Sequence, residues 1–265
     1  LAIDYCKLYA LTKKEGPMKF LILFFTTFLA FGCSSSPEHN FNGDKVLFVA
    51  TSHSQLGKTG KKTGAYVTEI TRPYAILVEA GYEVDFVSPK GGKIPLGGMD
   101  KIDEEGRALL ASTYFKNKIT NTMRPDEVDS SKYKAIFFAG GHGAMFDFPD
   151  NKKLQKITRE IYENRGIVGA VCHGPAGLVN TKISNGKYLI DGKKVAAFTN
   201  EEERAVGLNK VMPFLLESKM LQRGAKHTQK SKFESHTVVH GRLVTGQNPA
   251  SAKSVGEEIL KLLRK

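Results

Sequence analysis

Three stretches carry residue types that could do chemistry together. In the first, the apolar run Ile167 to Val171 stops at Cys172-His173-Gly174-Pro175. A short apolar run predicts a buried strand, and Pro175 sits where a first helical turn accepts proline. A strand that turns sharply at a nucleophile followed by glycine has the pattern of a nucleophile elbow, which presents its side chain at the carboxyl end of a sheet. A helix starting behind it would add positive partial charge and favour the thiolate of Cys172. An inert buried cysteine fits the same local pattern, because free cysteine packs like a small apolar residue. In the second stretch, Ala135 to Ala139 ends in Gly140-Gly141-His142-Gly143. The glycine pair permits close backbone approach, so the N–H groups of Gly141 and Cys172 are candidates for an oxyanion hole, with His142 near substrate. The third stretch ends a further apolar run at Thr199-Asn200.

The elements that must position these residues follow from periodicity. Val46 to Ala50 and Glu83 to Val87 are predicted strands, with a helix between them that places Tyr66, Ile70, Tyr74, Leu77 and Val78 on one face, carries Pro73 as a kink and ends at Gly81. Residues 88–133 are polar and predicted to be a surface excursion with one helix around Asp103 to Thr113. Helix 150–164 precedes the central strand, a strand is predicted over Lys194 to Phe198, and Pro213 to Arg223 is helical. Thr237 to Thr245 is predicted to be a hairpin turning at His240-Gly241, and Pro249 to Leu263 a closing amphipathic helix. Alternating strands and helices predict an α/β fold: a single doubly wound, mostly parallel sheet flanked by helices, of flavodoxin-like type. Ligands of such sheets bind outside the carboxyl ends of the strands, where the three stretches converge.

Composition narrows the function classes. The chain has 265 residues, a formal charge of +12 and three cysteines. The lysines are scattered without an aromatic-interleaved basic stripe, so a nucleic-acid partner is not expected. The cysteines make neither a disulfide framework nor a C-x-x-C pair. Gly57-Lys58-Thr59-Gly60-Lys61-Lys62-Thr63 lacks the spacing of a phosphate-binding loop, and no cofactor is expected. His236 and His240 are four apart but lie on a strand edge and turn, and no metal is expected.

The amino-terminal segment has a different logic. Met18-Lys19 and the apolar run Phe20 to Phe31 match a signal-peptide core, too short to span a bilayer comfortably. The following Gly32-Cys33-Ser34 resembles a bacterial lipobox, although its leucine is one place early and Phe31 is bulky. The expectation is an upstream leader at 1–17, a lipoprotein signal at 18–32, a polar tether at 33–44 and one domain at 45–265. Cys33 would carry the lipid, anchoring the protein to a membrane of the bacterial cell envelope.

Ala-Val-Cys-His-Gly-Pro-Ala at 170–176, Ala-Gly-Gly-His-Gly-Ala-Met-Phe-Asp-Phe-Pro at 139–149, Lys-Thr-Gly-Ala-Tyr-Val-Thr-Glu at 62–69 and Gly-Arg-Leu-Val-Thr-Gly-Gln-Asn-Pro-Ala-Ser at 241–251 together resemble the ThiJ/PfpI superfamily, whose fold is that of class I glutamine amidotransferases. The resemblance is to its branch of heat-shock chaperones that act as glutathione-independent glyoxalase (glyoxalase III), and it runs in the same order from about residue 45 to the carboxyl terminus. It implies Cys172 as nucleophile, His173 as its neighbouring histidine and Glu69 as the acidic partner of the cysteine. A further acid that orients the histidine falls near Glu203, within the run Glu201-Glu202-Glu203. It also implies an α-oxoaldehyde substrate, methylglyoxal converted to lactate, and suggests a homodimer. A holdase chaperone and a Cys-His hydrolase of peptides or amides are the alternatives within the same superfamily.

Overall fold

The computed structural model describes Phe41 and residues 43–265; the expected leader, the signal, most of the tether and the lipidation at Cys33 lie outside the described residues. The first element among the described residues is β1 (Lys45–Val49), buried from Val46 onward. A loop leads to the two-residue β2 (Ala65–Tyr66) and into α1 (Val67–Glu79), which runs through Pro73. Next come β3 (Glu83–Val87) and the short β4 (Leu96–Gly97), which pairs in parallel with β2. The polar excursion holds two helices where one was expected: α2 (Glu104–Ala111), capped by the Asp103 carboxylate accepting from the Gly106 N–H, and α3 (Thr113–Thr120). Ser112, extended at ψ 125, separates them.

After β5 (Tyr133–Phe138) come the single turn α4 (Ala144–Asp147) and α5 (Lys152–Glu163), started by the Asn151 side chain accepting from the Leu154 N–H. The central strand β6 (Ile167–Val171) follows. The expected strand over Lys194 to Phe198 is a correction: only β7 (Lys194–Val195) forms, and it lies outside the main sheet. The next amides turn elsewhere, Ala196 N–H to Thr245 Oγ1 (2.9 Å), Ala197 N–H to His227 Nε2 (3.1 Å) and Phe198 N–H to the Cys172 carbonyl (2.9 Å). The remaining elements are α6 (Asn200–Ala205), α7 (Leu216–Gln222), β8 (Lys226–His227) paired with β7, the hairpin β9 (Thr237–His240) and β10 (Leu243–Gly246), and α8 (Ala252–Leu263).

Six strands form the main sheet in the order β3-β1-β5-β6-β10-β9, all parallel except the last pair. Both faces are covered, so the inner strands are apolar on each side. Val46 and Phe48 of β1 and Phe137 of β5 point to one core, where α1 and α8 contribute Ile70, Tyr74, Val255 and Ile259. Leu47, Val49, Ile136 and Phe138 point to the other, beneath Leu154, Ile157 and Ile161 of α5 and Met220 of α7. The register sets Phe138 beside both Val49 and Ala170, and Gly246 beside Val171. Strands β1, β5, β6 and β10 therefore end at one rim of the sheet.

Candidate active site

Cys172 follows the last residue of β6 and takes φ +59, a conformation that costs a non-glycine residue strain and needs to be held by its surroundings. Its backbone is held at both ends: the Cys172 N–H donates to the Gly246 carbonyl at 2.9 Å, and its own carbonyl accepts from Phe198. This corrects the expected oxyanion hole, because the Cys172 amide is spent on the sheet edge. The Gly141 N–H is directed at the Cys172 sulfur. In an elbow the residue after the nucleophile supplies the second donor, which here is His173. The expected helix behind the nucleophile is also corrected. Gly174–Gly177 makes only a four-residue 3-10 turn, too short for a helix dipole to stabilise a thiolate.

The glycine pair makes room for this elbow. A Cβ on Gly140 would lie 2.6 Å from the His173 nitrogen and 2.7 Å from Glu69 Oε2, and Gly141 takes φ +91 against the Gly64 and Ala65 backbone. The Gly140 carbonyl accepts from the Tyr66 N–H at 3.2 Å, tying β2 to the loop after β5. That contact brings the first turn of α1, with Glu69, under the elbow. Glu69 is fully buried, and its Oε2 accepts from the Gly140 N–H at 2.7 Å. Its Oε1 has no hydrogen-bond partner of good geometry among the described residues, and the carboxyl interacts with the Cys172 thiol. Burial pushes the Glu69 carboxyl up to about 8, against smaller opposing effects from Gly140 and Cys172. Burial likewise pushes the Cys172 thiol well above its ordinary value, and the adjacent Glu69 adds to it. At neutral pH both groups hold their protons, so the resting pocket contains a thiol beside a carboxylic acid rather than the expected thiolate.

On the other side of the sulfur, His173 Nδ1 lies 3.3 Å from Cys172 Sγ, and its Nε2 lies 2.7 Å from Glu203 Oε2. The second oxygen of Glu203 is 3.0 Å from His142 Nε2. Although burial works against it, hydrogen bonds from His142 and His173 hold the Glu203 carboxyl down at about 2. An ionised carboxylate only accepts, so Nε2 of His173 carries its proton and the Nδ1 lone pair faces the thiol. Burial, and then His142, lower His173 to about 4, which keeps the ring neutral and able to take a proton. The His173 ring lies against His142 (centroids 4.2 Å) and Phe198 (4.4 Å).

One functional residue escaped sequence reasoning. Glu202, fully buried, accepts from the Thr199 N–H (2.9 Å) and hydroxyl (3.0 Å), the Phe233 N–H (2.8 Å), Gln247 Nε2 (3.1 Å) and Asn248 Nδ2 (2.8 Å). It locks the start of α6 and so fixes where Glu203 points. Its signal was present: Thr199-Asn200-Glu201-Glu202 is a capping box, which assigns the second glutamate to the cap and leaves the third for the histidines. The structure therefore brings Cys172, His173, Glu69, Gly141, His142 and Glu203 to one place. His236 and His240 stay apart from it, His236 against the Thr228 hydroxyl and His240 accepting from the Lys194 N–H.

A parallel sheet with a cysteine at the central elbow, a neighbouring histidine and a buried glutamate defines a class of cysteine-centred α/β proteins. Residues 62–262 match the DJ-1/PfpI family, and the chain belongs to that family. It is 35% identical over 238 residues to the glutathione-independent glyoxalase HSP31 of Saccharomyces cerevisiae, covering 83% of this chain and 98% of the relative. Among solved structures it is similar to the Rapid Encystment Protein 24 kDa of Francisella tularensis, with 38% identity, a TM-score of 0.81, and 83% and 99% of the two chains covered. It is also similar to glyoxalase III of Candida albicans, with 31% identity, a TM-score of 0.78, and 83% and 97% covered.

Proposed function

We propose that the protein is a glutathione-independent glyoxalase that converts methylglyoxal to lactate on Cys172. The observation that carries this reading is the placement of one thiol between two proton carriers of opposite character, a protonated Glu69 and a neutral, correctly oriented His173. Relatives named as glyoxalases over nearly their whole length support the choice of substrate.

The chemistry closes with both carriers returned to their starting states. Cys172 Sγ adds to the aldehyde carbon as its proton passes to His173 Nδ1. The Gly141 and His173 amides hold the oxyanion until the Glu69 carboxyl protonates it, giving a hemithioacetal. Glu69, now a carboxylate, removes the remaining hydrogen from that carbon while His173 protonates the neighbouring ketone oxygen, giving an enediol. Glu69 then returns its proton to the second carbon, and His173 takes the hydroxyl proton as the thioester carbonyl forms. Water attacks the thioester and gives a proton to Glu69; the departing sulfur recovers its proton from His173, and lactic acid leaves. No external thiol or redox partner enters. Cys172, Glu69 and His173 are all buried, which suits a small dicarbonyl better than a peptide.

Lactate production from methylglyoxal in glutathione-free buffer tests the reading. The wild-type chain is expected to turn over, and Cys172→Ala is expected to lose at least ~10³-fold of kcat/KM. Full activity in Cys172→Ala would eliminate it.

A further inference from the structure

We propose that His142, His173 and Glu203 form a zinc site that caps the catalytic histidine and switches the enzyme off reversibly. The inference rests on the reading of His173 as the base. Among the described residues, these three form the one group of metal-ligating side chains whose donor atoms all fall within 4.8 Å of one another. The donors are two imidazole nitrogens and a carboxylate oxygen, a set that suits zinc with a fourth position left for water. Nε2 of both rings already points at the carboxylate, at 2.7 and 3.0 Å. A tetrahedral zinc with arms of about 2.0–2.1 Å needs its donors roughly 3.3 Å apart, so the two histidine–carboxylate contacts open by a few tenths of an ångström while the widest donor pair, within 4.8 Å, draws in toward that spacing. His142 provides the entry: its side chain is 22% exposed, whereas those of His173 and Glu203 are 1% and 3% exposed.

The consequence for activity follows from the tautomer. Zinc on His173 Nε2 takes the position of the proton now donated to Glu203. A neutral ring bound there must carry its hydrogen on Nδ1, the atom that faces Cys172 Sγ at 3.3 Å. Nδ1 then donates toward the sulfur and cannot accept the thiol proton, so hemithioacetal formation loses its base. The sulfur itself is no part of this site, because it lies on the other side of the ring. That separates the proposal from ordinary thiol poisoning by a metal.

The test is a zinc titration of the full metal-free chain against a chromogenic chelator, with binding read without turnover. A negative glyoxalase assay therefore leaves the zinc result standing, and the reverse also holds. Wild type and Cys172→Ala are expected to take up the same tight equivalent of zinc. His142→Ala is expected to weaken that equivalent at least ~10-fold, and Glu203→Gln, which preserves side-chain volume, serves as the second variant if His142→Ala fails to fold. Any zinc held elsewhere on the chain is common to all four proteins and cancels in the comparison. In wild type, zinc is expected to stop methylglyoxal turnover and EDTA to restore it. Loss of the equivalent in Cys172→Ala, wild-type affinity in both His142→Ala and Glu203→Gln, or no uptake by wild type would each overturn the proposal.

Discussion

Two buried carboxyls serve Cys172, Glu69 beside the thiol and Glu203 behind His173, yet they are pushed in opposite directions. Glu69 rises to about 8 and Glu203 falls to about 2. Burial alone would raise both, so the difference lies in what each oxygen meets. Glu69 receives one backbone N–H, its other oxygen has no hydrogen-bond partner among the described residues, and the carboxyl meets only a thiol besides. Glu203 receives an imidazole N–H on each oxygen. A pocket that separates two carboxyls in this way assigns them different work: the one that keeps its proton moves it, and the one that is always ionised orients. Glu69 therefore acts on the substrate, whereas Glu203 acts through His173.

Removing either carboxyl tests that division most harshly. Glu69→Gln keeps the shape and the Gly140 contact but cannot transfer a proton, and turnover of methylglyoxal is expected to fall by ~10²–10⁴-fold. Glu203→Gln leaves the His173 tautomer undirected, with a loss in the same range of ~10²–10⁴-fold. Because both serve one thiol, the double variant is expected to be little worse than the weaker single one. Glu69→Gln with activity within about threefold of wild type would break the comparison, since general acid–base catalysis contributes far more than that.

The pH profile sharpens it further. Glu69 must begin the cycle protonated, so kcat/KM is expected to fall as pH rises through about 8, the value of its carboxyl in the free enzyme. Steady-state rates between pH 6 and pH 10 measure this at roughly tenfold per unit on the descending limb. A rate that climbs steadily through that range would show that thiolate formation, and not the acid, controls activity.

The effect on stability has a sign fixed by linkage. Below the ordinary glutamate pKa of 4.5 Glu69 is protonated in both states. Between 4.5 and about 8 the unfolded chain releases that proton and the folded one retains it, so folding loses stability as pH rises, by up to ~1.4 kcal/mol per unit. Glu69→Gln removes this slope. Urea midpoints at pH 5 and pH 7.5 are expected to show the variant gaining on wild type at the higher pH; a constant offset would mean that Glu69 is ionised throughout.

The two carboxyls also differ in how far the sequence revealed them. Strand ends are legible because short apolar runs such as Val46 to Ala50 and Ile167 to Val171, each stopping at polar or glycine-rich sequence, read as buried strands, and their register delivers Cys172 and the Gly140-Gly141 pair to one rim. Glu69 is not legible from pattern, since a glutamate in the first turn of a helix is ordinarily a solvated, dipole-favoured charge; only family resemblance marked it. Its burial depends on the Gly140–Tyr66 contact, which no local rule contains. Glu203 was ambiguous among three glutamates, and the capping box that resolves them was readable at Thr199. The Lys194–Phe198 strand failed for a tertiary reason: the amides of Ala196, Ala197 and Phe198 bind Thr245, His227 and the Cys172 carbonyl instead of a sheet neighbour. The helix expected behind Cys172 forms only as a 3-10 turn, so no helix dipole offsets the burial that raises the thiol.

Infrared difference spectroscopy of the carboxyl groups at pH 7 tests the central claim most directly. Subtracting the Glu69→Gln spectrum from wild type is expected to isolate a protonated carboxyl band, and subtracting Glu203→Gln an ionised carboxylate band. An ionised Glu69, or a protonated Glu203, would contradict the division of work around Cys172.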